Sequence, residues 1–252
     1  MTSPHDALLS AEELTIGYPG LELFRDESFS VTRGSIFGIM GDSGSGKSTL
    51  LRCLIGLEQP LAGVVRFRGR DVAGLEPGRP GVGVSFQSNA LFGSMTVREN
   101  LRLPLRTWTQ LSERRADELI AAKLALVDVL DVIDRRPADI SGGQARRVAI
   151  ARSLILDPPL IFLDEPFAGL DPVSAGQLEE LLERLNQGLG VTVVVVSHML
   201  GRMIRICHRC LLISADERSV VAYGDPKELR QAPPNAVAAQ FFGGQRETTC
   251  LA

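Results

Sequence analysis

Gly41-Asp42-Ser43-Gly44-Ser45-Gly46-Lys47-Ser48, followed by Thr49, has the residue types and spacing of a loop that grips phosphate. Its glycines let the backbone curl so that successive N–H groups point inward at anionic oxygens. In such a loop the lysine, Lys47, reaches the β- and γ-phosphates, and the Ser48 hydroxyl ligates Mg²⁺. A plain glycine-rich turn would share the composition but not the flanks. Ile36-Phe37-Gly38-Ile39-Met40 is an apolar run suited to a buried strand. After the loop, Leu50, Leu51, Leu54 and Ile55 fall on one helical face and Gly56 closes the helix. The positive end of that helix would face the phosphates.

Two further strand-like runs end in groups able to act on a phosphate. Leu160-Ile161-Phe162-Leu163 runs into Asp164-Glu165. A carboxylate at a strand end is placed to hold Mg²⁺ opposite the serine of the loop, and this role falls to Asp164. Glu165 is then free to orient and deprotonate an attacking water. Val193-Val194-Val195-Val196-Ser197 leads to His198, which could touch the γ-phosphate from the far side. Solvated acids at a strand tip and a structural histidine are the competing readings; the phosphate loop weighs against both.

These groups need an α/β frame. Residues 160–163 and 191–196 are continuously apolar, as strands buried on both faces should be. Between them, residues 176–189 read as a helix with Leu178, Leu181, Leu182 and Leu185 inward. Strand, helix, strand implies a parallel sheet with crossover helices. Residues 12–86 read as strands with turns, such as Val64-Val65-Arg66-Phe67 after Gly63, and one helix. Residues 94–157 read as mostly helical, and Pro158-Pro159 marks the return to the core. Beyond Gly224, Pro233-Pro234 and the pair Phe241-Phe242 suggest an appendage.

Composition narrows the function class. The 252 residues are 44% hydrophobic, ample for a packed core, and the net charge of -3 gives no electrostatic footprint for nucleic acid. Only Lys47, Lys123 and Lys227 are lysines; this arginine bias is given no functional weight. Met1 to Glu12 lacks a basic start followed by an apolar stretch, so no secretory signal is expected. No apolar run approaches the roughly 18 residues of a membrane span, and a soluble protein is expected. Cys53, Cys207, Cys210 and Cys250 are too scattered for a disulfide framework, which fits a reducing cytosol. Cys207-His208-Arg209-Cys210 has a chelating spacing, but the only other histidines are His5 and His198. Thiols packed where a helix meets a strand are expected there.

Ile140-Ser141-Gly142-Gly143-Gln144 completes a set that, with the phosphate loop and Asp164-Glu165, resembles the nucleotide-binding domains of ABC transporters. Ile140 departs from the family's usual leucine. The resemblance runs from about Leu14 to Tyr223. It implies a P-loop NTPase (RecA-like) α/β core, residues 12–87 and 159–224, with an antiparallel β subdomain. It also implies an inserted α-helical subdomain, 88–158, and a C-terminal tail, 225–252. In the family's pattern Tyr18 stacks on adenine, Gln87 senses Mg²⁺ and water, and Asp171 in Ala168-Gly169-Leu170-Asp171 crosses a dimer interface. His198 is the family's switch histidine. Ser141, at a helix start with two glycines, is a second anion cradle. In the family it closes on ATP held by the other subunit, so a homodimer with two sandwiched ATP molecules is implied.

The segment that meets the membrane partner in this family should report cargo. Phe86-Gln87-Ser88-Asn89-Ala90-Leu91-Phe92, Leu103-Pro104-Leu105-Arg106 and the stretch 164–172 resemble Mla-type ATPases, which drive phospholipid traffic between Gram-negative inner and outer membranes. That implies integral-membrane permease subunits, a small cytosolic accessory subunit, a periplasmic lipid-binding subunit and a place at the cytoplasmic face of the inner membrane. The tail through Phe241-Phe242 is expected to clasp a neighbouring subunit. Importers of amino acids or metals share much of the same stretch, and remain an alternative. Non-transport members of the superfamily carry long coiled coils or paired ATPase units, and this sequence has neither.

Overall fold

The computed structural model describes residues 7–74 and 79–244. His5, Cys250 and the tail beyond Gly244 lie outside them. The chain forms two compact units, residues 1–77 with 194–252, and residues 78–193.

The first unit begins with two strands of twelve residues, β1 (Ala7–Tyr18) and β2 (Leu21–Thr32), joined at Pro19-Gly20 with Gly20 at φ 84°. Next come β3 (Ile36–Gly41), α1 (Lys47–Leu54), β4 (Ala62–Phe67) and the short β5 (Arg70–Asp71). Strands β2-β1-β4-β5 make an antiparallel sheet, with Leu9 opposite both Val31 and Phe67. This is the antiparallel β subdomain that the family resemblance implied.

Every residue of β3 is buried, as its unbroken apolar run requires. The remaining elements of this unit follow later in the chain. Counting the second unit's elements in chain order, they are β8 (Thr192–Val196), α6 (Leu200–Ile206), β9 (Arg209–Ser214), β10 (Ser219–Gly224), α7 (Pro226–Gln231) and α8 (Ala236–Gly244). The strand order here is β10-β9-β3-β8. β3 and β9 are parallel, Phe37 opposite Arg209 and Gly41 opposite Ile213, whereas β9 and β10 form an antiparallel pair. Cys207 and Cys210 sit at the joint of α6 and β9, buried against Gly38. Burial pushes the Cys207 thiol well above its ordinary value and the Cys210 thiol up to about 12.

The second unit holds β6 (Val82–Ser85), α2 (Val97–Trp108), α3 (Glu113–Leu126), α4 (Gly142–Ser153), β7 (Leu160–Asp164) and α5 (Pro172–Leu189). Within it, β6 and β7 are parallel, with Val82 opposite Leu160. The three helices from α2 to α4 start at side-chain caps. Thr96 and Glu99 form a reciprocal capping box, Ser112 caps α3, and Ser141 caps α4.

One expectation shifts. The helix expected over 176–189 starts at Pro172, because Asp171 caps it and Pro172 suits its first position. Beyond Gly224, Asp225-Pro226 starts α7 by the same device, and α8 buries Ala238 and Phe242. No helix among the described residues is long and apolar enough to cross a membrane.

Candidate active site

In the first unit, β3 delivers the chain into the loop at Gly41, φ 149°. A Cβ there would stand 2.3 Å from the Ile213 carbonyl and 2.7 Å from Ser45 Oγ, so the loop crosses β9 where only glycine fits. Gly44 and Gly46 take φ 82° and 92°. Gly46 stands at the N-cap of α1 and, having no side chain, supplies no cap of its own. Lys47 is 8% exposed, and its Nζ donates to the carbonyls of Gly41 at 2.8 Å and Asp42 at 2.6 Å. The ammonium is thus held over the loop by backbone oxygens. Ser45 is buried and its Oγ has no hydrogen-bond partner, whereas Asp42, Ser43, Gly44 and Ser48 are exposed.

Two other expected residues belong to this unit. Tyr18, at the end of β1, is 44% exposed, and its hydroxyl shares a 3.0 Å hydrogen bond with that of Thr49. His198 follows the buried Ser197 at the end of β8, exposed, with its carbonyl accepting from Leu200 N at 3.0 Å. Ser197 N donates to Ile39 O at 3.1 Å, which ties this strand end to β3.

In the second unit, β7 ends at Asp164, which is half-buried. Glu165 is 9% exposed and sits at φ 46°, in the left-handed region that non-glycine residues rarely enter. Gln87 follows β6 and is exposed. Asp171 accepts from the amides of Val173 and Ser174, each at 3.0 Å. The Ser174 hydroxyl, then its amide, hold the Asp171 carboxyl below its ordinary value.

The glycine-rich turn before α4 is ordered by reciprocal bonds: Gln144 N to Ser141 Oγ at 3.2 Å, Ser141 N to Gln144 Oε1 at 2.9 Å. A Cβ on Gly142 would meet nothing within 4 Å, so packing inside the chain does not demand glycine there. The turn opens on a cleft of about 420 Å³, lined by Ser141, Gly143, Gln144, Leu170 and Ser174 among others. The turn over residues 141–144, which with α4 forms the family's signature segment, and the Asp171 loop therefore share one concavity.

Arg146 was not singled out from the sequence. It is 6% exposed in α4, and its Nη1 donates to the carbonyls of Gln87 at 2.9 Å and Phe86 at 3.3 Å. Burial lowers its pKa, and the charges of Asp164 and Glu165 act against that shift. A buried guanidinium beside two carboxylates has no periodic signature, and the arginine-rich composition hid it.

The family model described as ABC transporter matches residues 24–168, more than half of the chain. The chain belongs to the ABC transporter family. It is 38% identical over 227 residues to the intermembrane phospholipid transport system ATP-binding protein MlaF of Escherichia coli K12, covering 88% of this chain and 83% of that protein. Among solved structures, cbiO1 from Clostridium perfringens, part of the ABC transporter complex cbiONQ, matches with a TM-score of 0.81 and 27% identity. That match covers 90% of this chain and 92% of cbiO1. The dimeric ATP-binding cassette MJ0796 bound to ADP and Pi matches with a TM-score of 0.78 and 28% identity, over 86% of this chain and 98% of the cassette. This ABC protein is an ATP-binding, ATP-hydrolysing subunit with a P-loop NTPase fold.

Proposed function

We propose that the chain powers phospholipid transport between two membranes, working as a homodimer on a membrane permease. The observation that carries the cargo is the likeness to MlaF, whose name specifies intermembrane phospholipid transport, over 88% of this chain. The dimer rests on a second anion cradle, at Ser141, in a chain that already has one at Gly41 to Thr49. The dimeric cassette similar to this chain supports it. Two copies would each lend Ser141, Gly142, Gly143 and Gln144 to ATP held by the other. The permease attaches the subunit to the cytoplasmic face of an inner membrane; a cytosolic accessory subunit and a periplasmic lipid-binding subunit complete the assembly.

Within one copy, Tyr18 stacks on adenine. The loop from Gly41 to Ser48 wraps the phosphates with N–H groups, and Lys47 exchanges its carbonyl partners for the β- and γ-phosphates. The hydroxyl of Ser48, the carboxylate of Asp164 and the amide oxygen of Gln87 are the hard oxygen donors that suit Mg²⁺. When bound, that ion would neutralise charge on the transferred phosphoryl group. Glu165 orients the water and takes its proton, His198 steadies the γ-phosphate, and Asp171 places its loop at the partner copy.

Glu165→Gln in the full chain tests the reading. Turnover should fall by about 100-fold or more, while ATP converts the variant to a stable dimer in size-exclusion chromatography. Normal steady-state hydrolysis would remove Glu165 as the base. For cargo, the complex that co-purifies with the chain should show ATPase activity raised by phospholipid. Stimulation by an amino acid or metal ion instead would point to an importer.

A further inference from the structure

Gln87 lies in a turn that one internal hydrogen bond, Asn89 N to Phe86 O at 2.8 Å, helps to close. Two residues on, Asn89 and Ala90 sit at φ 60° and 48°. Alanine gains nothing from that left-handed conformation, so the surroundings must impose it. The imposing groups come from one helix. Arg146 Nη1 donates to Phe86 O and Gln87 O at 3.3 and 2.9 Å; Arg152 Nη2 donates to Asn89 O at 3.0 Å and its Nη1 to Ala90 O at 2.8 Å. Four carbonyls within five residues are therefore gripped by two guanidinium groups six residues apart on α4, about 9 Å along its axis. Strand β6, which feeds the segment, touches the same helix: a Cβ on Gly83 would stand 2.0 Å from Ser153 O.

We propose that Arg146 and Arg152 are positioning residues that bind the Gln87 segment rigidly to the signature helix, so that displacement of Ser141 also displaces Gln87. This deepens the reading above and rests on its assignment of Gln87. At Arg152 the forked guanidinium matters, since its two terminal nitrogens each take one carbonyl where an ammonium is a point donor; at Arg146 one terminal nitrogen serves both carbonyls. Arg146 also lies within the field of Asp164 and Glu165, so the same helix carries a fixed positive charge beside the acid pair. Closure at the signature turn thus reaches the residue that reads metal and water through backbone hydrogen bonds.

The test compares Arg146→Lys, Arg152→Lys, Gln87→Ala and the two double variants in the full chain. Each lysine variant should lower kcat about tenfold or more while ATP affinity stays within about twofold. On the Gln87→Ala background each should add less than about twofold, because it acts through Gln87. Amide exchange over residues 86–92 should quicken in both lysine variants and stay unchanged in α1. Losses that multiply in the double variants, or unaltered exchange over 86–92, would overturn the proposal. If Gln87→Ala alone leaves kcat and Mg²⁺ dependence intact, the assignment of Gln87 falls; faster exchange over 86–92 would still support the rigid linkage itself. If Arg146→Lys fails to fold, the half-buried Arg152 carries the comparison.

Discussion

The Tyr18 hydroxyl is hydrogen-bonded at 3.0 Å to the hydroxyl of Thr49, the residue directly after Ser48 of the phosphate loop. An exposed ring at the end of β1 is thereby fixed relative to the start of α1, without losing its free face. Ring and hydroxyl should separate cleanly on substitution. Loss of base stacking is worth about 1–3 kcal/mol, so Tyr18→Ala should weaken ATP binding roughly 5- to 150-fold. Tyr18→Phe keeps the face and should weaken it only about twofold. Fluorescent-ATP titration measures both; equal losses would show that the hydroxyl, not the ring, matters.

Lys47 makes a different prediction, because its ammonium is already engaged by Gly41 O and Asp42 O. Charge-assisted hydrogen bonds contribute about 1.5–3 kcal/mol, so Lys47→Ala should weaken ATP binding roughly 10- to 150-fold. Direct binding measured without turnover checks this. Unchanged affinity would mean that Lys47 serves only the fold of the loop.

Much of this was legible beforehand, for definite reasons. A loop whose function requires a fixed order of glycine, lysine and serine leaves its spacing in the chain, and β3, β7 and β8 are buried on both faces, so their apolar runs stand out. The capping box at Ser141 and Gln144 belonged to a motif already marked. Arg146 and Arg152 were not legible, because on a helix a basic residue reads as a solvated face until the carbonyls opposite are known. The left-handed turns at Asn89 and Ala90 were hidden for the same reason, neither being glycine. The helix α8 was missed because its apolar stretch is short and follows a proline pair; Asp225-Pro226 was a usable start signal for α7.

Gly83 invites a stability test. The clash of a methyl group with Ser153 O is against backbone, which cannot rotate away. Gly83→Ala should cost about 1–3 kcal/mol or more and lower Tm by several degrees in thermal unfolding. A variant with native Tm would mean that α4 and β6 can part freely, contrary to the packing found.

The buried thiols set a pH dependence. Burial raises Cys53 to about 11 and Cys210 to about 12 from an ordinary value of 9.0. Because the folded values lie above the unfolded one, the protonated thiols contribute stability in full below pH 9, and it is lost as pH rises toward 11–12. In a Cys250→Ser background, iodoacetamide at pH 8 should leave Cys53, Cys207 and Cys210 unlabelled until urea is added. Rapid labelling of the native protein would contradict their burial.

The left-handed backbone of Glu165 sets thermal endurance against catalysis at one position. Glycine or asparagine would sit there with less strain, of order 1–3 kcal/mol, and a screen for heat resistance alone would select them. Each such gain would silence the proposed base, so a hardened variant of this ATPase should leave residue 165 untouched and seek its stabilising changes elsewhere.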